Sequence, residues 1–290
     1  MKRVLILGGN GMIGHSLYIN LKKEFHVSVT FRSNKDRYRN INIFEENDCF
    51  YNLNANDYKK FFKLIEKISP DYIINCIGVT KQLTSTAEYS EILHTNALFP
   101  KFLSSFCIGT DSTFIQLSTD CIFSGNVGNY LESSIPDPVD FYGASKFLGE
   151  CIDPNTIVLR KSTIGLELCN PHGLIEWFLK SSPEIEGYKN AIYSGLTTKE
   201  FSRAVATIIN SDVIFHGLLN IASQPVSKFD LLTKLSKKLQ PRFQKKININ
   251  TDFKCNRALN SLKFNKLFNF QPLPWDQMLN DLSEEIIRRK

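Results

Sequence analysis

Residues 4–7 form an unbroken apolar run that stops at Gly8 and Gly9, and over residues 12–23 the apolar side chains recur at 12, 13, 17, 19 and 21. That spacing predicts a strand, a tight turn and a helix. The same rhythm continues along the chain: strands over 27–31, 72–77 and 113–117, helices over 57–68 and 90–106, then a helix over 139–150 and a strand over 156–159. Alternation of this kind predicts a parallel sheet with helices on both faces, an α/β class with a doubly wound core. Beyond Arg160 the rhythm loosens, with Gly or Pro at 165, 171, 173, 183, 187 and 195, before helices near 200–210, 228–239 and 275–288. We expect residues 1–160 to form the nucleotide-binding core and to carry the reactive side chains. Residues 161–290 should form mainly a smaller C-terminal substrate-binding lobe, with some segments returning to the core.

Composition narrows the classes. A net charge of +6 over 290 residues, carried in short runs such as Lys59-Lys60 and Lys237-Lys238, predicts solvated faces and no nucleic-acid partner. The seven cysteines are odd in number and lack zinc-type spacing, so reduced thiols and a cytoplasmic location are expected, with no metal. The N-terminal apolar run is too short for a signal-peptide core, and nothing reaches the roughly 20 apolar residues of a membrane span.

Gly8, Gly11 and Gly14 stand at the first strand-to-helix junction, where backbone must approach a pyrophosphate and the helix N-terminus offers free N–H groups. This makes the core Rossmann-type, with Asn10, Met12 and Ile13 of the same turn assigned to the cofactor. The second strand ends in Arg32 and Ser33 rather than in an acid. An acid would bond the ribose 2′-hydroxyl of NAD, whereas Arg32 suits a 2′-phosphate. NADPH is therefore favoured and NADH less so, although Asp36 is near and Arg32 has a solvated strand-end reading as well. Asn52, Leu53 and the strand-end turn Cys76, Ile77 and Gly78 complete the expected cofactor contacts.

Tyr142-Gly-Ala-Ser-Lys146 sets a phenol and an ammonium four residues apart, on one face of a helix. A nearby cation stabilises a phenolate, so the pair suits proton transfer. Upstream, Leu117-Ser118-Thr119-Asp120-Cys121-Ile122-Phe123-Ser124-Gly125 ends a strand at the same edge of the sheet and supplies a hydroxyl. In this order, the glycine turn, the segment 75–78, the strand-end hydroxyl and the Tyr/Lys pair resemble the extended short-chain dehydrogenase/reductase family. Within it, Ser118-Thr119-Asp120-Cys121-Ile122-Phe123-Ser124-Gly125 and Tyr142-Gly-Ala-Ser-Lys146-Phe-Leu-Gly-Glu150 look like the motifs of dTDP-4-dehydrorhamnose reductases and related reductases of 4-keto-6-deoxysugars. The resemblance implies Thr119, Tyr142 and Lys146 as catalytic residues, with Tyr142 the acid and Lys146 also holding the cofactor. It implies NADPH as hydride source and a nucleotide-sugar partner, with a product for a surface polysaccharide such as O-antigen.

Two departures qualify the match. Some bacterial members dimerise through a metal held by a Glu two residues after the third glycine, and this chain has Ser16 there, so no metal is expected and a homodimer is left open. The segments 172–178 and 190–198 look like reductases of UDP-linked N-acetylated deoxysugars, which leaves the nucleotide open between dTDP and UDP. Substrate contacts are expected from Thr119, Asp120, Cys121, His172, Trp177 and Arg257, the last near the diphosphate; core packing for Trp177 and a surface place for His172 are the plain alternatives. The rival readings are an epimerase or dehydratase with tightly bound NAD, and a non-catalytic NADP-binding regulatory subunit.

Overall fold

Along β1 (Arg3–Leu7) successive side chains leave opposite faces, and both faces are covered: Val4 and Ile6 join one buried cluster, Leu5 and Leu7 another. The computed structural model, which describes residues 1–84, 86–169 and 171–289, builds outward from this strand. The following strands are β2 (His26–Thr30), β3 (Cys49–Phe50), β4 (Tyr72–Asn75), β5 (Thr113–Leu117) and β6 (Thr156–Arg160). The later chain adds β7 (Thr163–Ile164), β8 (Glu184–Tyr188), β9 (Ala191–Tyr193), β10 (Leu196–Thr197), β11 (Gly217–Asn220), β12 (Val226–Ser227), β13 (Lys246–Asn250) and β14 (Cys255–Asn256). Seven of these form one parallel sheet in the order β11-β6-β5-β4-β1-β2-β3. The expected doubly wound core is present, with seven strands where five were placed from sequence. The additions are β3, two residues long, and β11, a short run from the second half of the chain.

The helices are α1 (Met12–Leu21), α2 (Tyr58–Ile68), α3 (Tyr89–Leu93), α4 (Phe99–Cys107), α5 (Phe141–Leu148), α6 (Leu174–Lys180), α7 (Thr198–Asn210), α8 (Lys228–Lys238), α9 (Leu262–Leu267) and α10 (Trp275–Arg288). Phe61, Leu64 and Ile65 of α2 with Phe99 and Leu103 of α4 cover one face of the sheet. Leu17 and Leu21 of α1 and Phe201, Val205 and Ile208 of α7 belong to the cluster on the other, which extends to Leu279 and Leu282 of α10 packed against α7 and α8. The second half of the chain thus shares the main core.

The single helix expected over 90–106 is instead α3, a π turn (His94–Leu98) and α4. Pro100 accounts for the break: it has no N–H to give the Asn96 carbonyl, and its ring crowds that oxygen. The freed Asn96 carbonyl reaches the end of α5, where a Cβ on Gly149 would stand 2.0 Å from it. The backbones of the π turn and the end of α5 meet there because position 149 is glycine.

Candidate active site

The cofactor cradle lies where the strand order reverses, between β1 and β4. Gly8 has φ +87, and a Cβ on Gly14 would lie 2.2 Å from the Gly8 carbonyl oxygen, so the first turn of α1 sits directly on the glycine loop. The N-cap, Gly11, has no side-chain cap bond, which leaves the first-turn N–H groups around Met12 and Ile13 facing the loop. Such a cradle fits a pyrophosphate. Ile77 packs against Gly8, bringing the turn after β4 beside it. That turn is shaped by Asn75, whose Oδ1 accepts from Ile77 N at 3.1 Å while its Nδ2 donates to Gln116 at 2.8 Å.

At the end of β2, Arg32 is exposed and free of ion pairs among the described residues. Ser33 accepts the Asn52 N–H on its carbonyl at 3.2 Å, and Leu53 is buried with its N–H bonded to Phe31. Arg37, which sequence reasoning passed over, donates to the Ser33 hydroxyl at 3.4 Å and adds a second cation beside Arg32. The residues present therefore fit a phosphorylated dinucleotide.

The reactive pair rides on α5. Asp140 caps that helix by accepting from Gly143 N at 2.8 Å, and Lys81 pairs with its other oxygen at 2.6 Å. A Cβ on Gly143 would lie 2.2 Å from the Cys121 carbonyl oxygen, so glycine here lets α5 press against the turn after β5. The far end is held by a buried ion pair: Glu150 takes Arg160 at 2.9 and 2.7 Å and the Ser118 hydroxyl at 2.6 Å. Asn96, also missed from sequence, ties three segments together from the π turn. It bonds both backbone groups of Val79, at 2.8 and 3.0 Å, and the Ser145 hydroxyl at 3.0 Å.

Lys146 donates to the Leu117 carbonyl at 2.7 Å and lies 3.8 Å from where a Gly78 side chain would begin. Burial, with help from neighbouring Lys161, lowers its pKa to about 8. Tyr142 is half-buried, and its phenol is raised well above the ordinary range by desolvation, with Cys121 adding to this and the Thr119 hydroxyl opposing it. The expected lowering of the phenol by Lys146 is absent, because that ammonium is turned to Leu117. Tyr142 therefore holds its proton at neutral pH, the state a proton donor requires.

The Thr119 hydroxyl donates to Asp120 Oδ1 and accepts the Cys121 N–H, both at 3.2 Å. Asp120 is buried; desolvation raises its pKa while Arg257 and Lys161 oppose the rise. Cys121 is raised to about 12, mainly by burial, and stays a neutral thiol. Arg257 reaches this group because β14 pairs with β9 and Asn256 N bonds the Gly125 carbonyl at 2.6 Å. Its Nε donates to the Phe123 carbonyl at 2.8 Å and its Nη1 lies 3.6 Å from Cys121 Sγ. The structure thus brings Thr119, Asp120, Cys121, Tyr142, Lys146 and Arg257 together.

His172 and Trp177 stand apart from this cluster. His172 is exposed, with its N–H on Glu167. Trp177, 45% exposed on α6, lines a surface groove of about 410 Å³ with Ser181, Ser182, Glu184, Ile185, Glu186 and Asn248. Core packing is thereby excluded for Trp177. Ser16 packs between α1 and α7, 3.4 Å from Ser202. No helix among the described residues is long and apolar enough to cross a membrane.

Comparison with known proteins bears on the family and the fold. A family profile described as the RmlD substrate binding domain matches residues 1–164. The dTDP-4-dehydrorhamnose reductase of Aggregatibacter actinomycetemcomitans is 24% identical over 305 residues, covering 97% of this chain and 98% of its own. A probable low-salt glycan biosynthesis reductase of Haloferax volcanii is 26% identical over 166 residues, 55% of this chain and 52% of the relative. Methionine adenosyltransferase 2 subunit beta of Xenopus tropicalis is 28% identical over 153 residues, 51% of this chain and 42% of the relative. The match thus spans about half the length of these last two relatives. In fold, the chain resembles the Bacillus anthracis dTDP-4-dehydrorhamnose reductase solved with NADP (TM-score 0.77, 19% identity, all of both chains). It equally resembles a UDP-N-acetylglucosamine 4-epimerase of Methanobrevibacter ruminantium (TM-score 0.80, 19% identity, 100% of this chain and 99% of that one). Reductase and epimerase share the scaffold, and the profile covers more than half of the sequence. The chain belongs to the RmlD family, the dTDP-4-dehydrorhamnose reductase-like branch of the extended short-chain dehydrogenases/reductases.

Proposed function

We propose that the protein is an NADPH-dependent oxidoreductase that reduces the C4 carbonyl of a nucleotide-activated 4-keto-6-deoxysugar. The observation that carries the reading is the meeting of Thr119, from the end of β5, with Tyr142 and Lys146 of α5 beside the glycine cradle. Bound NADPH supplies the hydride. Tyr142 gives its phenolic proton to the carbonyl oxygen, and Thr119 turns its hydroxyl from Asp120 to polarise that oxygen. Lys146 holds the cofactor ribose and, once released from Leu117, supports the phenolate left behind. Gly8, Asn10, Gly11, Met12 and Ile13 receive the pyrophosphate, while Arg32, with Ser33, favours the 2′-phosphate. Asp120, Cys121 and Arg257 border the sugar; His172 and Trp177 are further substrate contacts that need the lobe to fold over the ligand. A cytoplasmic place in surface polysaccharide synthesis accords with this chemistry.

The dehydratase alternative needs an acid and a base beside the tyrosine. Cys121 follows Asp120 where the second acid would be, and a thiol held neutral cannot serve as that base. A purely regulatory role accounts for none of the reactive cluster. The test is to incubate the protein and NADPH with a panel of dTDP- and UDP-linked 4-keto sugars while following NADPH absorbance. Steady oxidation with one class assigns the substrate nucleotide; no oxidation with any of them overturns the proposal.

A further inference from the structure

Lys161, the first residue after β6, was unremarkable in sequence and is the least satisfied cation beside the reactive pair. Its Nζ has one long hydrogen bond, 3.4 Å to the Thr163 hydroxyl, and no ion-pair partner among the described residues. The Phe201 ring of α7 lies 5.9 Å away. The titratable groups that face it are Cys76 after β4, Asp120 and Cys121 after β5, and Lys146 of α5. It is packed about by protein yet keeps some accessible surface. A cation so placed, facing Asp120 but in ion-pair contact with no carboxylate among the described residues, acts on whatever enters between the ends of β4, β5 and β6.

The reacting part of the cofactor must enter there. Tyr142 has to touch the carbonyl oxygen and the hydride has to reach the adjoining carbon, so the nicotinamide ring belongs against the face shared by Tyr142 and Lys146. Lys161 is close enough to Lys146 to lower its proton affinity. The reduced ring is uncharged, and loss of hydride leaves it with one positive charge. We infer that Lys161 is a positioning cation that sets the oxidation state the cleft prefers, favouring the uncharged reduced cofactor over the positively charged oxidised one. This rests on the reductase reading and deepens it. An enzyme that exchanges its cofactor every turnover gains from expelling the spent form, whereas an epimerase must retain both forms.

Burial lowers Lys161 to about 8, as it does Lys146. Cys76 and Cys121 are raised to about 12 and stay neutral in this range. The preference should therefore be strong at pH 6.5 and weak at pH 9.5. The experiment measures equilibrium binding of NADPH by its fluorescence, and of NADP⁺ by competition, to wild type, Lys161→Met and Lys161→Arg at both pH values. Like charges several ångströms apart in a partly solvated cleft predict a shift of about tenfold. Lys161→Met should bind NADP⁺ about tenfold more tightly at pH 6.5, with NADPH affinity nearly unchanged. Lys161→Arg, charged at both pH values, should keep more of its preference at pH 9.5 than wild type does. If both cofactors bind and the ratio is the same in all three proteins, the inference is overturned while the reductase reading stands. If wild type binds neither, both fall.

Discussion

Tyr142 is the side chain on which the proposed chemistry turns, and the burial that keeps its phenol protonated gives a sharp expectation. Tyr142→Phe removes only the hydroxyl, so turnover should fall roughly 10²–10⁴-fold while NADPH affinity stays nearly constant, as steady-state rates and fluorescence binding would show. Near-normal turnover in that variant would falsify the site assignment. Lys146→Met should behave differently, weakening cofactor binding and moving residual activity to higher pH. Arg32→Ala should remove most of the preference for NADPH over NADH, a loss of roughly 1.5–3 kcal/mol or about tenfold to a hundredfold in affinity. Equal binding of the two cofactors by wild type would dismiss that role. At this scale the sequence was legible where spacing carries chemistry: Tyr142 and Lys146 by helical period, Thr119 by its place at a strand end. Lys161, Asn96 and Arg37 were not, because a lysine after an arginine, an asparagine inside an apolar helix and one arginine among several have no local signature.

Helix α5 is fixed by backbone contacts more than by its few apolar side chains, which makes its glycines informative. Gly143→Ala would drive a methyl group against the Cys121 carbonyl, a backbone atom with little room to yield. We expect a loss of roughly 1–3 kcal/mol in urea unfolding, together with lowered turnover as Tyr142 shifts. Glu150→Gln breaks the pair with Arg160, in which both side chains are only 4% accessible. An unpaired buried guanidinium costs about 3–5 kcal/mol, so the unfolding midpoint should drop markedly; an unchanged midpoint would remove the anchoring role. Long periodic elements such as α2 and α10 could be read from sequence almost to their ends. The π turn could not, because Pro100 acts on a carbonyl four residues back without disturbing the apolar period. Two-residue strands such as β3 and β14 escaped for a simpler reason: they are shorter than any repeat that could announce them.

Over the whole molecule, two ammonium groups held near pKa 8 set a direction for stability against pH. The unfolded chain binds their protons more tightly than the folded one, up to the ordinary lysine value of 10.5. Their unfavourable contribution is therefore full below about pH 8 and disappears as pH rises toward 10.5. Between pH 7.5 and 9.5 the thermal midpoint should rise, or fall less, in wild type than in a Lys146→Met/Lys161→Met double variant; parallel curves would refute the assignment. The alternating rhythm of the first 160 residues revealed the sheet, whereas β11 could not be assigned because four residues, Gly217–Asn220, carry too little pattern to show where they pair. That late strand has a consequence for synthesis on the ribosome. Until β11 arrives, the outer edge of β6 presents an open row of peptide groups, the kind of surface through which immature chains stick to one another. Roughly 60 residues separate the two strands, so translation alone leaves that edge uncovered for on the order of 3–12 s. Conditions that slow elongation across this stretch should increase aggregation of the newborn protein, even though the finished protein has β11 paired along β6.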